Sequence, residues 1–266
     1  MSEQGISRSE SMRKGIYILP NLFTTGSLFA GFYGMVSGVN GDFRTAAICI
    51  LISAVFDGLD GKVARATGTT SKFGVEYDSL ADLVAFGVAP GLIMYFWALK
   101  PFGRLGWLAA FLFVVCGALR LARFNVQVDT VESKRFVGLP IPAAASMVSA
   151  TVLFFHHMGW PSSYKKLGIL ILIYCLAFLM VSSVKYYSFK DPELIKKQPF
   201  GFLVLAVLLL IVIAAEPAVM MFVLFVCYIL SGPVTFLVTW PRRRRLEKAL
   251  HKGHEEMVQS GRKTDI

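Results

Sequence analysis

The sequence predicts an all-α membrane protein, a polytopic helix bundle with about eight transmembrane helices and both termini in the cytoplasm. Of its 266 residues, 55% are hydrophobic and 17% are charged, whereas soluble domains carry about a quarter charged residues. The apolar residues are also bunched: residues 217–241 contain no charged side chain. Apolar segments near or above roughly 18 residues are typical of membrane spans.

Eight apolar segments mark the predicted spans. They are residues 17–39, 43–65, 73–99, 105–124, 140–158, 167–186, 200–215 and 218–240. A short turn at Glu216 and Pro217 separates the last two. We expect the first segment to be a retained span, because no small-residue cleavage site follows it.

The distribution of Lys and Arg predicts the orientation of the chain. With the N-terminus inside, 22 of the 27 Lys and Arg residues fall in cytoplasmic segments. This asymmetry predicts a protein of the inner membrane with both ends inside and residues 57–82 at the cytoplasmic face. It also accounts for the net charge of +10, so no nucleic-acid partner is predicted. Residues 1–241 then form one membrane domain, and residues 242–266 a basic cytoplasmic tail that contacts anionic lipids.

Four aspartates lie where the second predicted span ends and the third begins. Asp57 and Asp60 are three residues apart, and Asp78 and Asp82 are four apart, so each pair shares one face of a helix. The short link between the spans would bring the two faces together. Ionisable residues are costly in a bilayer and mark functional sites there.

The residue types around the aspartates favour a divalent cation and a diphosphate. Four converging carboxylates repel each other, and hard cations with oxygen ligands, Mg²⁺ or Mn²⁺, would neutralise them. Zinc is disfavoured because no His or Cys stands at ligand spacing. Gly61, Ala64 and Gly74 leave space beside the carboxylates for a ligand that approaches the helices closely.

The spacing D-x2-D-G-x2-A-R-x8-G-x3-D-x3-D, from Asp57 to Asp82, resembles the signature of the CDP-alcohol phosphatidyltransferase family without a gap. The resemblance implies two divalent cations, Mg²⁺ or Mn²⁺, and a homodimer with CDP-diacylglycerol as donor. It also implies a role for each motif residue. The metal ligands would be Asp57, Asp60, Asp78 and Asp82, with Asp60 on one ion and Asp82 on the other. Asp82 would also act as the general base. The CDP-lipid pocket would be lined by Gly61, Ala64, Arg65 and Gly74.

No Ser, Cys or His belongs to the motif, which favours direct displacement without a covalent enzyme intermediate. Transport of metal ions is the alternative from another class, because intramembrane aspartates also mark ion paths. A transport path would need polar residues through the full depth of the bilayer. The outer halves of these spans are apolar, which disfavours transport.

Residues 19–26, with Pro20 followed by Asn21, Thr24 and Thr25, resemble the N-terminal element of the family. By this resemblance Asn21 and Thr24 help to bind the CDP-lipid. The alternative is a structural role, in which Asn21 caps a helix start and the threonines bond to their own backbone.

Two further segments bear on the acceptor alcohol. RLARFN (residues 120–125) and FVGLPIPAAA (residues 136–145) resemble the membrane-embedded phosphatidylserine synthases of the family, which implies L-serine as acceptor. Arg120 and Arg123 would bind its carboxylate, because Arg matches a carboxylate with two hydrogen bonds. Their alternative role is to anchor the span at the lipid phosphates. Other acceptors used in the family, glycerol 3-phosphate, inositol phosphate and choline, remain open.

Overall fold

A computed structural model describes residues 3–69, 71–127, 135–159, 166–187, 207–208 and 215–238. Most of these residues are helical, which confirms the predicted helical class. The helices are α1 (Glu3–Val39), α2 (Phe43–Thr67), α3 (Lys72–Asp82), α4 (Ala89–Met94), α5 (Arg104–Gln127), α6 (Ile141–His157), α7 (Lys166–Val181) and α8 (Pro217–Val238). Two strands of three residues, β1 (Arg135–Val137) and β2 (Lys185–Tyr187), were not predicted.

Several of the described helices are long and apolar enough to cross a membrane. These are Leu19–Val39, Lys72–Phe102, Arg104–Val126 and Pro217–Val238. Helix α2 has 25 residues, but ionisable side chains lie near both of its ends. The chain is a membrane protein by these features. Most of the predicted seventh span, residues 200–215, and the whole tail, residues 242–266, lie outside the described residues. The count of eight spans and the cytoplasmic termini therefore stay predictions.

Helices α1 and α2 form an antiparallel hairpin whose backbones approach closely. At Gly34 a Cβ would lie 3.2 Å from the Ala46 carbonyl oxygen. The hydroxyls of Ser27 and Ser53 lie 2.7 Å apart. Lipid provides no hydrophobic force between helices, so close packing of small residues and interhelical hydrogen bonds hold such a pair. The two helices stay in contact toward the end of α2 that carries Asp57 and Asp60, where Thr24 of α1 lies beside α2.

Helix α3 continues into α4 without a break, and each end of α4 adjoins a π-helical turn, which is wider than a turn of α-helix. A π-helical turn spans Leu83–Val88, and a second one, Tyr95–Leu99, leads into a 3₁₀ turn at Lys100–Phe102. A proline follows each π turn within two residues, Pro90 after the first and Pro101 after the second. Proline has no N–H to donate, so the helix widens locally instead of breaking. The predicted third span, residues 73–99, is thus helical but irregular directly after Asp82.

The link between α2 and α3 is a short capped turn. Gly68 ends α2 in the left-handed conformation, with φ of 64°, and its N–H donates to the Ala64 carbonyl. Ser71 begins α3 by accepting a hydrogen bond of 3.0 Å from the Gly74 N–H. Glycine is favoured in this left-handed position because it has no Cβ. The caps stop one helix and start the next within a few residues, so the acidic ends of both meet.

The sixth predicted span ended at residue 186, and this prediction was too long. Helix α7 ends at Val181, and β2 pairs antiparallel with β1, with Phe136 opposite Tyr186. The N–H of Gly138 extends the contact to the Val184 carbonyl over 2.8 Å. The polar residues after Val181 need backbone partners, and the strand after α5 supplies them. The pairing ties the α5–α6 connection to the end of α7.

Helix α8 is fastened to the bundle at two levels. Near its start, Phe222 stacks on Phe154 of α6 with ring centroids 4.5 Å apart, and Glu216 pairs with His157 at 3.2 Å. Glu216, in the predicted turn with Pro217, therefore contacts the end of α6 through His157. Toward its other end, Tyr186 of β2 packs against α8 and donates a hydrogen bond of 3.2 Å to the Ile229 carbonyl.

Candidate active site

The four predicted aspartates converge where α2 faces α3. One carboxylate oxygen from each of Asp57, Asp60 and Asp78 lies within 4.8 Å of the others. Asp82 is one turn further along α3 from Asp78, and the charges of Asp57 and Asp78 act on it. The two helical faces predicted from the i, i+3 and i, i+4 spacings therefore come together at one end of the bundle.

These carboxylates are shielded from solvent. Asp60 and Asp82 are 5% and 9% exposed, and Asp78 is half-buried, with its Oδ1 enclosed and without a hydrogen-bond partner. Like charges this close repel each other strongly in a medium of low dielectric constant. The guanidinium of Arg65 acts electrostatically on Asp60, and that of Arg120 acts on Asp82. Two cations do not balance four carboxylates.

The carboxylate cluster fits a hard divalent cation. Its donors are oxygens from several side chains, which Mg²⁺ and Mn²⁺ prefer. The enclosed Oδ1 of Asp78 is an acceptor that a bound cation would satisfy, since a buried polar atom without a partner is costly. The cluster could therefore hold a metal ion, with Asp57, Asp60 and Asp78 as its nearest ligands.

Thr24 orients one of these carboxylates. Its hydroxyl donates a hydrogen bond of 2.9 Å to Asp60 Oδ2 and lies 3.2 Å from the Pro20 carbonyl oxygen. Thr25 bonds to the Asn21 carbonyl at 2.7 Å and to the Tyr77 hydroxyl at 2.9 Å. The threonines thus bond to their own backbone and across to α2 and α3. The alternative that Asn21 caps a helix is wrong, because α1 begins at Glu3 and runs through Pro20.

A cleft beside the carboxylates has a volume of about 620 Å³, including the part open to the outside. Every residue predicted to bind the CDP-lipid lies on its wall, together with two of the aspartates. The lining residues are Pro20, Asn21, Thr24, Asp60, Gly61, Ala64, Arg65, Thr69, Ser71, Gly74, Val75 and Asp78. Pro20 belongs to the N-terminal element that the sequence analysis identified, whereas Thr69, Ser71 and Val75 were missed. Ser71 could have been found as the N-cap that precedes the α3 periodicity.

The glycines in the cleft lie against polar side chains. At Gly74 a Cβ would lie 3.1 Å from the Ser71 hydroxyl and 3.5 Å from the Asn21 side-chain oxygen. At Gly61 it would lie 3.4 Å from Nη1 of Arg65, so the Arg65 side chain folds back over Gly61. A side chain at either position would fill space next to the carboxylates. The cleft therefore offers hydroxyl, amide and guanidinium groups around an open volume beside an acidic cluster.

The two predicted acceptor arginines have different surroundings. Arg120 on α5 is partly buried, and its Nε is enclosed without a hydrogen-bond partner. Its charge acts on the Asp82 carboxylate. Arg123, nearly one turn further along α5, is exposed. The guanidinium of Arg120 is thus an enclosed cation whose charge acts on the end of α3.

A hydrogen-bonded pair joins α3 to α5 between these groups. Ser79 lies between Asp78 and Asp82 in the chain, and its hydroxyl contacts both ends of the Asn125 amide, at 3.0 Å and 3.2 Å. Asn125 is the last residue of the RLARFN segment. The pair aligns the acidic face of α3 with the helix that carries Arg120.

Comparison with known proteins identifies similar chains. The model of the CDP-alcohol phosphatidyltransferase family matches residues 17–182. A CDP-diacylglycerol–serine O-phosphatidyltransferase of Helicobacter pylori strain J99 is 47% identical over 178 residues, 66% of this chain and 74% of the relative. The enzyme of that name from strain 26695 is 40% identical over 222 residues, 84% and 92% of the two chains. An archaetidylserine synthase of Methanothermobacter thermautotrophicus is 38% identical over 170 residues, 63% and 69%.

Proposed function

The chain belongs to the CDP-alcohol phosphatidyltransferase family, and from this premise we propose that it transfers the phosphatidyl group of CDP-diacylglycerol to L-serine. The products are phosphatidylserine and CMP. One observation carries the proposal: the carboxylates of Asp57, Asp60 and Asp78 meet beside a cleft lined by the family motif. The bacterial relatives named for serine transfer support serine as the acceptor.

Asp57, Asp60, Asp78 and Asp82 would hold two divalent cations, Mg²⁺ or Mn²⁺. The convergence of oxygen ligands and the enclosed Oδ1 of Asp78 support this assignment. When bound, the cations polarise the phosphate and stabilise negative charge on the leaving CMP. Thr24 would keep the Asp60 carboxylate in a fixed orientation, because its hydroxyl donates to one of the two oxygens.

The cleft between α1, α2 and the start of α3 would bind the cytidine diphosphate. Asn21, Thr24, Gly61, Ala64, Arg65 and Gly74 are its proposed contacts. The polar lining of the cleft supports this role, since hydroxyl, amide and guanidinium groups donate hydrogen bonds to phosphate oxygens. Gly61 and Gly74 let the ligand approach the helix backbone.

Asp82 would act as the general base. It takes the proton of the acceptor hydroxyl while that oxygen attacks the phosphorus next to the diacylglycerol. The bond from this phosphorus to the CMP oxygen breaks, and CMP leaves with the bonding electron pair. No covalent enzyme intermediate forms. The burial of Asp82 and its position one turn beyond Asp78 on α3 support this role.

Arg120, with Arg123 further out, would bind the serine carboxylate. The enclosed Nε of Arg120 supports this role, because a buried guanidinium N–H without a partner is costly and a carboxylate would satisfy it. The electrostatic interaction of Arg120 with Asp82 also fits serine, whose carboxylate and hydroxyl are separated by two carbon atoms.

We further propose eight spans with both termini in the cytoplasm, in the inner membrane, with the site facing inward. Residues 1–241 form the membrane domain, and residues 242–266 a basic tail at the lipid surface. Two copies would associate as a homodimer. The Lys and Arg asymmetry supports the orientation, and labelling of single cysteines placed at residue 5 and in the tail, from each side of the membrane, tests it.

An acceptor screen tests the proposed reaction. The purified full-length protein is supplied with CDP-diacylglycerol, Mg²⁺ or Mn²⁺, and one alcohol at a time: L-serine, glycerol 3-phosphate, inositol phosphate or choline. We expect release of CMP with serine, and its loss when the cations are chelated. Release with another alcohol but not with serine would refute serine as acceptor. Release without added or residual divalent cation would refute the metal assignment.

A further inference from the structure

A chain of hydrogen bonds runs from α3 to α1 beside the cleft. The Thr25 hydroxyl of α1 lies 2.9 Å from the Tyr77 hydroxyl of α3, and it donates to the Asn21 carbonyl over 2.7 Å. A threonine hydroxyl has one hydrogen to donate, and this hydrogen is directed to Asn21. Tyr77 is therefore the donor to Thr25, and the chain runs in one direction, from Tyr77 through Thr25 to Asn21.

This chain joins two of the helices that form the cleft. Asn21 of α1 lines the cleft, and so do Gly74 and Asp78 of α3. A Cβ at Gly74 would lie 3.5 Å from the Asn21 side-chain oxygen, so the two helices are close together there. Tyr77 directly precedes Asp78 in the chain. The hydrogen bond between Tyr77 and Thr25 therefore fixes the separation of α1 and α3 next to the residues that line the cleft.

The Tyr77 ring is held in place by its own helix. Phe73 precedes it by about one turn, and the two rings stack with centroids 5.9 Å apart and an angle of 11° between their planes. Side chains at this spacing on a helix support each other. The Tyr77 side chain is half-buried and Thr25 is exposed, so loss of the bond between them leaves no buried polar atom without a partner. The bond therefore contributes little to global stability.

Two adjacent threonines attach α1 to both of the other helices around the cleft. Thr24 donates to Asp60 of α2, and Thr25 accepts from Tyr77 of α3. A ligand that lies between helices binds more tightly when their positions are fixed beforehand, because less free energy is spent on ordering them. The attachment to α3 is therefore the counterpart of the attachment to α2.

We infer that Tyr77 is a positioning residue for the CDP-lipid: through Thr25 it holds α1 against α3 and keeps the cleft at the width that the cytidine diphosphate requires. This inference rests on the proposed binding of CDP-diacylglycerol in the cleft. It adds a residue that lies at a variable position of the motif, between Gly74 and Asp78. Tyr77 acts on the donor through the backbone of Asn21 and makes no contact with the reacting atoms.

The test compares Tyr77→Phe with the unmodified full-length protein. The substitution keeps the ring on Phe73 and removes the hydroxyl that donates to Thr25. We expect the KM for CDP-diacylglycerol and its equilibrium dissociation constant to rise about three- to tenfold, because one neutral hydrogen bond is lost. The value of kcat, the KM for the acceptor and the thermal midpoint in detergent should stay unchanged. Thr25→Val removes both bonds and should raise the donor KM at least as much, whereas Thr25→Ser keeps the hydroxyl and should retain the normal value.

Tyr33→Phe is the matched control. Tyr33 of α1 also stacks on a phenylalanine about one turn earlier, Phe29, with an angle of 10° between the ring planes, and it is exposed. This variant should leave every measured constant unchanged. A rise in the donor KM as large as that in Tyr77→Phe would refute the inference.

The outcomes separate this inference from the proposed function. An unmodified protein that binds no CDP-diacylglycerol refutes the proposed function, and the inference with it. A protein that binds the donor equally well after Tyr77→Phe refutes only the role of Tyr77. An equal rise in the KM values of both substrates, or a lowered thermal midpoint with unchanged donor binding, shows that the pair has a structural role alone and refutes the inference. The same follows if Thr25→Ser is as impaired as Thr25→Val.

Discussion

The cleft wall comes from one stretch of chain, residues 20–78, whereas Arg120 lies on α5, which is joined to α3 by the pair of Ser79 and Asn125. In the cleft the residues follow a local motif, and Thr24 and Ser71 have hydrogen-bond partners within it. On α5 the Nε of Arg120 is enclosed and has no hydrogen-bond partner. The proposed function therefore assigns donor binding to a local motif and acceptor binding to a helix further along the chain. Changes in the two regions should therefore have separable effects.

The largest expected effect is that of Asp82→Asn, at the boundary of the two regions. We expect kcat to fall about 10²- to 10⁴-fold with any acceptor, as for the loss of a general base. Binding of CDP-diacylglycerol should remain, because Asp57, Asp60 and Asp78 keep their positions. Turnover and equilibrium binding of the donor are measured on the same preparation. Asp57→Asn is the comparison variant and should weaken both. Equal loss of donor binding in the two variants would contradict separate roles.

Arg120→Lys should weaken the binding of serine without affecting the binding of CDP-diacylglycerol. Lysine keeps the charge but loses the planar guanidinium that binds a carboxylate through two hydrogen bonds. We expect the KM for serine to rise about 10- to 100-fold and the KM for CDP-diacylglycerol to stay the same. Arg104→Lys, at the exposed opposite end of α5, is the matched control. A parallel rise in both KM values in Arg120→Lys would mean that the two regions are not separable.

Thr24→Val should affect the donor side through the metal ligands. The substitution keeps the shape of the side chain and removes the hydrogen bond to Asp60. We expect the Mg²⁺ or Mn²⁺ concentration for half-maximal activity to rise about tenfold, which is typical when a partner of a metal ligand is lost. Thr24→Ser retains the hydroxyl and should restore the normal requirement. If Thr24→Val and Thr24→Ser have the same metal requirement, the hydrogen bond does not orient the ligand.

The smallest effect is expected for Ser79→Ala and Asn125→Ala, which break the link between the regions. Each substitution removes the same hydrogen-bonded contact, at a cost of about 1 kcal/mol of stability. The double variant should be no less stable than either single one, because the contact is shared. Thermal unfolding in detergent measures this. Additive losses would show that the two side chains act independently.

Much of the proposed donor site could be predicted, because the spacing of its aspartates along the sequence is that of one face of a helix. The i, i+3 and i, i+4 steps from Asp57 to Asp82 already place four carboxylates on two faces. The β1–β2 pair, the π turn after Asp82 and the packing of Tyr186 against α8 could not be predicted. Strands of three residues have no readable periodicity, and Tyr186 reaches α8 at a point where only the glycine at position 232 leaves room for its ring. Such contacts depend on packing between elements far apart in sequence.

The confinement of the cleft to residues 20–78 has a consequence for engineering a new headgroup specificity. Substitutions in α5 leave the wall of the cleft intact. Under the proposed function, a variant with a redesigned alcohol subsite on α5 would therefore keep every residue that is proposed to bind the CDP-lipid.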